Sequence, residues 1–339
     1  MELLLPFLIG MFLAINMGGS GVGPSFAAAF GSRIISKAII PGLFGMMVLI
    51  GALVAGQETA NTLGKGIIKP EAFSSVLVSI VFLSVALSLL IANIAGIPQS
   101  TSQSTVFALI PPALYFSSFN PNKLFFEIIP TWFILPIASF LLSYLLGKFI
   151  YRPLRKRGLT IYGGWFGDNI FTKFLLLGMS MYVAFSIGSN NVANAVGPLS
   201  SMVLNVFDHT SEQASKIIIY LSVLVIAPCF GIGASFFGEK ILKRTGTEIF
   251  VFSRFEAAII AFVSASLLLF ASLSRGIPTS LVQLNVGAIL GVGIAKMGFK
   301  NIVTNWHVKE FFYMWLLSPI IALLLSLILT LIADYLNYI

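Results

Sequence analysis

Hydrophobic residues run along this chain in blocks too long and too continuous for a soluble fold. Apolar windows occupy 3–17, 38–56, 72–95, 124–147, 171–187, 214–236, 255–274 and 310–335. Most of them approach or exceed the ~18–20 residues a helix needs to cross ~30 Å of hydrocarbon. None has the ten-residue alternation of a membrane β-strand. Between them lie 18–34, 96–118, 188–206 and 276–297, apolar but interrupted by Gly, Pro, Ser, Thr and Asn. Exposed backbone groups left unpaired in lipid cost several kcal/mol each, so these segments are predicted as half-helices or re-entrant hairpins buried in protein. The expected architecture is an all-α polytopic membrane protein with eight strong spans and four broken segments.

The broken segments form two pairs. Gly96–Ala108 reads GIPQSTSQSTVFA and Gly276–Ala288 reads GIPTSLVQLNVGA, with 7 of 13 positions identical. A fainter pair, Gly18-Gly19-Ser20-Gly21-Val22-Gly23 and Gly188-Ser189-Asn190-Asn191-Val192-Ala193, precedes them in the same order. The chain therefore reads as a duplication, with halves at 1–150 and 168–339 joined by a basic linker at 151–167. Interrupted hydrophobic segments at matching places in two halves point to a midplane binding site between inverted repeats. Close helix packing alone explains the glycines, but not the paired hydroxyls and amides.

Composition agrees with a membrane protein: 58% of residues are hydrophobic and 9% charged, with mean hydropathy +0.98. The net charge of +8 reads as topology rather than nucleic-acid binding. Lys148, Arg152, Arg155, Lys156 and Arg157 cluster without a nearby acid, which places the central loop in the cytoplasm. The stretch 238–248 is slightly more basic than its counterpart 57–70, as opposite orientation of the halves requires. The stretch Leu3 to Gly19 lacks a basic n-region and is read as a first membrane helix, not a cleaved leader. A lone Cys229 excludes an intrachain disulfide, and no metal-ligand spacing occurs; His209 and His307 stand in polar, loop-like surroundings.

The broken segments carry anion chemistry. Pro98 and Pro278 suit the first turn of a half-helix, where the missing N–H is not needed. The following turn directs unpaired N–H groups at a cavity, beside the neutral donors of Ser100, Thr101, Ser102, Gln103, Ser104, Thr279, Ser280 and Gln283. Two facing helix N-termini are a natural anion site. None of the broken segments contains Asp or Glu. Hydrogen phosphate must give its proton to an acceptor, whereas sulfate carries none and is repelled by a carboxylate, so neutral donors favour sulfate.

Gly188-Ser189-Asn190-Asn191-Val192-Ala193-Asn194-Ala195 resembles the G-A-N-D-V-A-N-A signature of the inorganic phosphate transporter (PiT) family, and the G-I-P-x-S segments resemble its G-[IV]-P-V-S-T-T-H elements. The resemblance implies an inverted-repeat secondary transporter for a tetrahedral oxyanion, and a homodimer. Gly21 and Asn191 replace the aspartate of the family's N-D, and Gln103 and Gln283 replace the histidine, which removes the family's sodium-site carboxylates. This pattern is similar to the CysP-type sulfate permease branch. Carried over position by position, it implies substrate at Ser20, Gly21, Asn190, Asn191, Ser100, Thr101, Ser102, Thr279 and Ser280.

Importing sulfate against 100 mV, negative inside, costs about 2 × 2.3, or 4.6 kcal/mol, so uptake requires a coupled cation, H+ or Na+. Ionisable residues near apolar spans are the coupling suspects: Glu58, Arg33, Lys37, Arg254, Glu256, Arg275 and Lys296, with Glu256 foremost. Arg275 also stands where its charge can draw anions toward Gly276. The expected function is import of sulfate, with thiosulfate a further candidate, across the cytoplasmic membrane by alternating access. A phosphate symporter and a passive anion channel are the alternatives. An intramembrane serine protease using the G-x-S-G at Gly18–Gly21 would need a histidine within the bilayer. No enzyme activity and no cofactor is expected.

Overall fold

A computed structural model describes residues 3–96, 99–159, 167, 169–208, 211–248, 252–299 and 306–339. Pro98 and His209 lie outside the described residues, as does the side chain of His307. Helices dominate throughout. The first half contains α1 (Leu4–Gly31), α2 (Ile40–Ala55), α3 (Gln57–Asn61), α4 (Ser75–Ala95), α5 (Thr101–Tyr115), α6 (Ile129–Leu146) and the short α7 (Arg152–Lys156). The second contains α8 (Ile170–Asn191), α9 (Ala193–Val206), α10 (Glu212–Ile226), α11 (Pro228–Glu248), α12 (Arg254–Arg275), α13 (Leu281–Met297) and α14 (Trp306–Tyr335).

All eight apolar windows fall on membrane-length elements. Among the described residues, seven helices or helix runs are long and apolar enough to cross a bilayer, and α2 with its continuation Gln57–Gly66, bent by 74°, is a broken span or a re-entrant loop. The protein is a multi-pass membrane protein.

Two expectations about the broken segments need correction. The segment 18–34 is not a separate half-helix: α1 continues to Gly31 with Pro24 inside it. The segment 188–206 is likewise helical, interrupted only at Val192. Glycine's weak helix propensity is overridden here by packing. A Cβ at Gly18 would land on the Phe230 carbonyl, and one at Gly233 on the Ile15 carbonyl, so α1 and α11 touch through backbone. The same relation joins α2 and α8, where a Cβ at Gly51 would meet the Phe185 carbonyl and one at Gly188 the Val48 carbonyl. The stretches 57–70 and 238–248, read as opposed loops, are largely helical, belonging to α3 with its continuation and to α11.

The two G-I-P segments interrupt helices as expected. Pro278, however, lies in the linker two residues before the cap Ser280 and not in the first helical turn, because the serine side chain and not the proline starts the helix. Gly96 (φ 76°) ends α4 and Gly276 (φ 60°) ends α12, both in the left-handed region that glycine tolerates. Four residues beyond each glycine, a serine restarts a helix. Ser100 accepts a hydrogen bond from Gln103 N (3.3 Å) and Ser280 one from Gln283 N (3.4 Å), so each serine caps the helix that follows it. The halves also exchange helices. From the first half, α6 packs on α13, with Ser139 Oγ donating to Leu284 O (2.6 Å); from the second, α14 packs on α5, with Ser326 Oγ donating to Ala108 O (2.6 Å).

Candidate functional site

The two capped helix starts, one from each half, converge on a single cavity. Ser100 and Thr101 begin α5 on one side of it, and Ser280, Leu281 and Val282 begin α13 on the other. Ser20, Gly21 and Pro24 of α1, Asn191 of α8 and Gln99 of the first linker complete the wall. No charged side chain lines it. The N–H groups of the first two residues of each helix have no intrahelical acceptor, so both ends present partial positive charge here. The enclosed space is small, about 10 Å³ to a water-sized sphere. That is room for roughly one water, so an ion of several atoms requires the walls to part.

Six residues singled out in the sequence therefore share this cavity: Ser20, Gly21, Ser100, Thr101, Asn191 and Ser280. Five others lie behind or beside it and are engaged with protein. Asn190 is saturated: its Nδ2 donates to Ser272 Oγ (2.9 Å) and Ile277 O (3.0 Å), and its Oδ1 accepts from Ser102 Oγ (3.2 Å) and Thr279 N (3.0 Å). It ties the second linker to the first turn of α5, and it occupies Ser102 and Thr279 in doing so. Gln103 and Gln283 occupy equivalent places in the repeat and face each other, with Gln283 Nε2 donating to Gln103 Oε1 at 2.8 Å. This amide pair joins the two half-helices across the duplication and does not line the cavity.

Sequence reading missed several contributors. Asn93 accepts from Ser20 Oγ (2.9 Å) and donates to Asn16 O (2.8 Å). The pair Asn190–Ser272 in the second half resembles the pair Ser20–Asn93 in the first but is one residue out of register, with Asn93 three residues before Gly96 and Ser272 four before Gly276. Each joins the motif helix to the helix that ends in the linker glycine. An asparagine inside an apolar span was the available signal, since a polar group in that setting needs a partner. Asn194 reaches Thr101 Oγ1 (3.4 Å) and Ser102 Oγ (3.3 Å), the contacts of the last asparagine of N-N-V-A-N-A. Gln99 aligns with Thr279, so the repeat comparison gives it no weight. Its Nε2 donates to Ser88 O (3.1 Å), while its Oε1 has no partner. Asn191 Oδ1 is likewise unpartnered, so the cavity carries two buried neutral acceptors beside its donors.

The acidic suspects sit elsewhere. Glu256 is buried at the start of α12, where it accepts from Ser253 N (2.7 Å) and pairs with Lys296 Nζ (2.9 Å), whose ammonium also stands 5.7 Å from the Phe252 ring centre. It lies nineteen residues before Arg275 on one continuous helix, roughly 30 Å from the second linker. Its Oε2 takes part in both the helix cap and the ion pair, and its Oε1 is buried without a partner. Exchanging it, Glu256→Gln, is expected to lower stability by about 1–3 kcal/mol while leaving the pH dependence of uptake unchanged, read by thermal unfolding and by uptake at several pH values. Glu58 is exposed; its backbone carbonyl abuts Gly276. Lys37 pairs with Glu239 (3.1 Å) at an exposed surface, and Lys240 Nζ donates to Ile94 O at the end of α4.

Comparison with known proteins agrees with this architecture. A model of the Phosphate transporter family matches residues 17–163 and 167–326. The chain is 32% identical to the sulfate permease CysP of Bacillus subtilis, over 97% of this chain and 88% of the relative. It is 27% identical to a putative phosphate permease of Methanocaldococcus jannaschii, over 96% of this chain and 95% of the other. A solved structure titled as the sodium-dependent phosphate transporter superposes with a TM-score of 0.82 at 21% identity, covering 98% of this chain and 99% of that one, which shows a shared fold. With its helix order, its paired linkers and a family match that spans both halves, the chain belongs to the phosphate transporter family.

Proposed function

We propose that the protein imports sulfate across the cytoplasmic membrane, coupled to a cation, by alternating access of two inverted repeats around the cavity between Ser100 and Ser280, with its central basic loop in the cytoplasm. One observation carries this reading: two helix N-termini, one from each half, meet in a buried space whose lining holds no carboxylate. A doubly negative tetrahedral anion fits that chemistry. Ser100, Thr101 and Ser280 supply hydroxyls, Ser20 lines the wall with its own proton held by Asn93, and the backbone at Thr101, Ser102, Leu281 and Val282 supplies N–H groups. Gly21 lets α1 lie close against Phe44 and Ile187, and Asn190, with the Gln103–Gln283 pair, positions these donors. The similarity to a protein named as a sulfate permease supports the choice of anion.

Charge balance supports coupling. Each helix end contributes about half a positive charge, so two offset about one of the two charges on sulfate. A co-bound proton or sodium ion supplies the remainder, and its movement down its own gradient opposes the membrane potential acting on the anion.

A phosphate symporter is the second reading, and a specific observation favours it. The unpartnered Gln99 Oε1 and Asn191 Oδ1 can accept the proton of hydrogen phosphate, which a fully ionised sulfate lacks. Uptake of labelled sulfate, competed with thiosulfate, molybdate and phosphate, with and without a proton ionophore, separates the readings. Competition by sulfate and thiosulfate with collapse of accumulation on dissipating the gradient is expected; competition by phosphate alone would overturn the sulfate assignment. Anion conductance without accumulation would indicate a channel. The double substitution Ser100→Ala with Ser280→Ala is expected to abolish saturable uptake, and to cost about 1 kcal/mol of stability per lost cap, measured by uptake and thermal unfolding of the same preparation.

A further inference from the structure

Directly behind the two capping serines lies a second, larger cavity of about 230 Å³, and its chemistry differs from that of the first. Its walls are apolar: Phe133, Ile137 and Phe140 of α6, Val286 and Leu290 of α13, and Trp315 of α14. Phe133 and Ile137 are 55% and 58% exposed, on a helix run that spans the membrane, so the cavity opens toward hydrocarbon. Its inner end is polar, formed by Gln99, Ser100, Ser280 and Gln283. Gln99 and Gln283 are more than nine-tenths buried, and the Oε1 of each has no hydrogen-bond partner. A buried acceptor without a partner carries a desolvation penalty, which a ligand bearing a donor removes.

We propose that this cavity binds a neutral, single-chain amphiphile with a hydrogen-bond donor at its head, an alkylphenol or a long-chain alcohol, and that its occupancy inhibits transport. Most of this cavity's wall is apolar side chain, unlike that of the anion cavity, so a charged head group would lose more hydration here than the few polar groups at one end return. A hydroxyl satisfies the Oε1 of Gln99 or Gln283, while the tail replaces apolar wall-to-void surface with contact. Gln99, Ser100, Ser280 and Val282 line both cavities, so the bound head stands against the wall of the anion site. That wall has to move for the anion cavity to widen, and an occupant behind it holds it in place.

The test uses the full-length protein in proteoliposomes with para-hexylphenol as probe and its methyl ether as control. Tryptophan fluorescence and labelled-anion uptake are read over the same titration. The expected result is a saturable fluorescence change that Trp315→Phe removes, with uptake falling at the same midpoint. The ether, which cannot donate, is expected to need about tenfold more compound, the equivalent of one hydrogen bond. Val286→Phe, which fills the cavity, is expected to raise the phenol midpoint at least tenfold, or about 1.4 kcal/mol. Equal potency of phenol and ether, a signal that Trp315→Phe leaves intact, or a linear response like that of bulk membrane perturbation would overturn the proposal. The fluorescence titration does not depend on which anion is carried, so failure of the sulfate reading and failure of this site are separately visible.

Discussion

Asn191→Asp is expected to lower sulfate uptake by about 100-fold or more while the protein stays folded. The two side chains have the same shape, and Asn191 lines the anion cavity with its Oδ1 free of protein partners. At an effective dielectric of about 20, a carboxylate about 4 Å from one unit of negative charge is repelled by roughly 4 kcal/mol, and sulfate carries two such units. Partial neutralisation by a coupled cation still leaves more than the ~2.7 kcal/mol that corresponds to a factor of 100. Phosphate is expected to lose less, because a carboxylate accepts its proton. Paired uptake of labelled sulfate and phosphate by the variant reads the ratio directly. Unchanged sulfate uptake would remove the argument that an uncharged lining selects the anion.

The largest effect on the fold is expected from Gly188→Ala. A methyl group there would overlap the Val48 carbonyl, a backbone atom that cannot rotate away as a side chain can. Overpacking costs typically 1–3 kcal/mol even where side chains can adjust, and this contact admits no such adjustment. Loss of most monodisperse protein, or a fall in unfolding free energy of at least about 3 kcal/mol, is expected. At Gly178, on the same helix, an added methyl group would meet nothing within 4 Å. Gly178→Ala is therefore expected to be neutral or to stabilise by about 0.5–1 kcal/mol through helix propensity. Thermal unfolding of both variants in one detergent checks the contrast; equal behaviour would show that the α2–α8 crossing tolerates separation.

Much of this molecule was legible in the one-dimensional pattern. Apolar windows located the spans because hydrocarbon thickness fixes their length. The G-I-P repeats located the helix interruptions, since a glycine in the left-handed region and a capping serine four residues on are local features. Inter-helix geometry was not legible. Gly18, Gly19 and Gly21 read as a break, yet packing of α1 against α11 keeps the helix continuous through them. Gln103 and Gln283 read as donors to a ligand because they sit one turn into each half-helix. Only the three-dimensional placement of the halves reveals that they bond to each other. Asn190 has the residue type of an anion donor, but its four hydrogen bonds engage it with the protein. Glu256 illustrates a similar limit: the sequence shows an acid at the start of an apolar span, but not that one of its oxygens is held by a cap and a lysine while the other is buried without a partner.

The central claim is that a doubly charged oxyanion is held between the two halves by neutral dipoles. The most direct measurement is a structure of the protein with selenate, located by its anomalous scattering. The expected selenium position lies between Ser100 and Ser280, within hydrogen-bonding reach of the N–H groups that begin α5 and α13, with no carboxylate in contact. A selenium peak elsewhere, or one touching an acidic side chain, would contradict it.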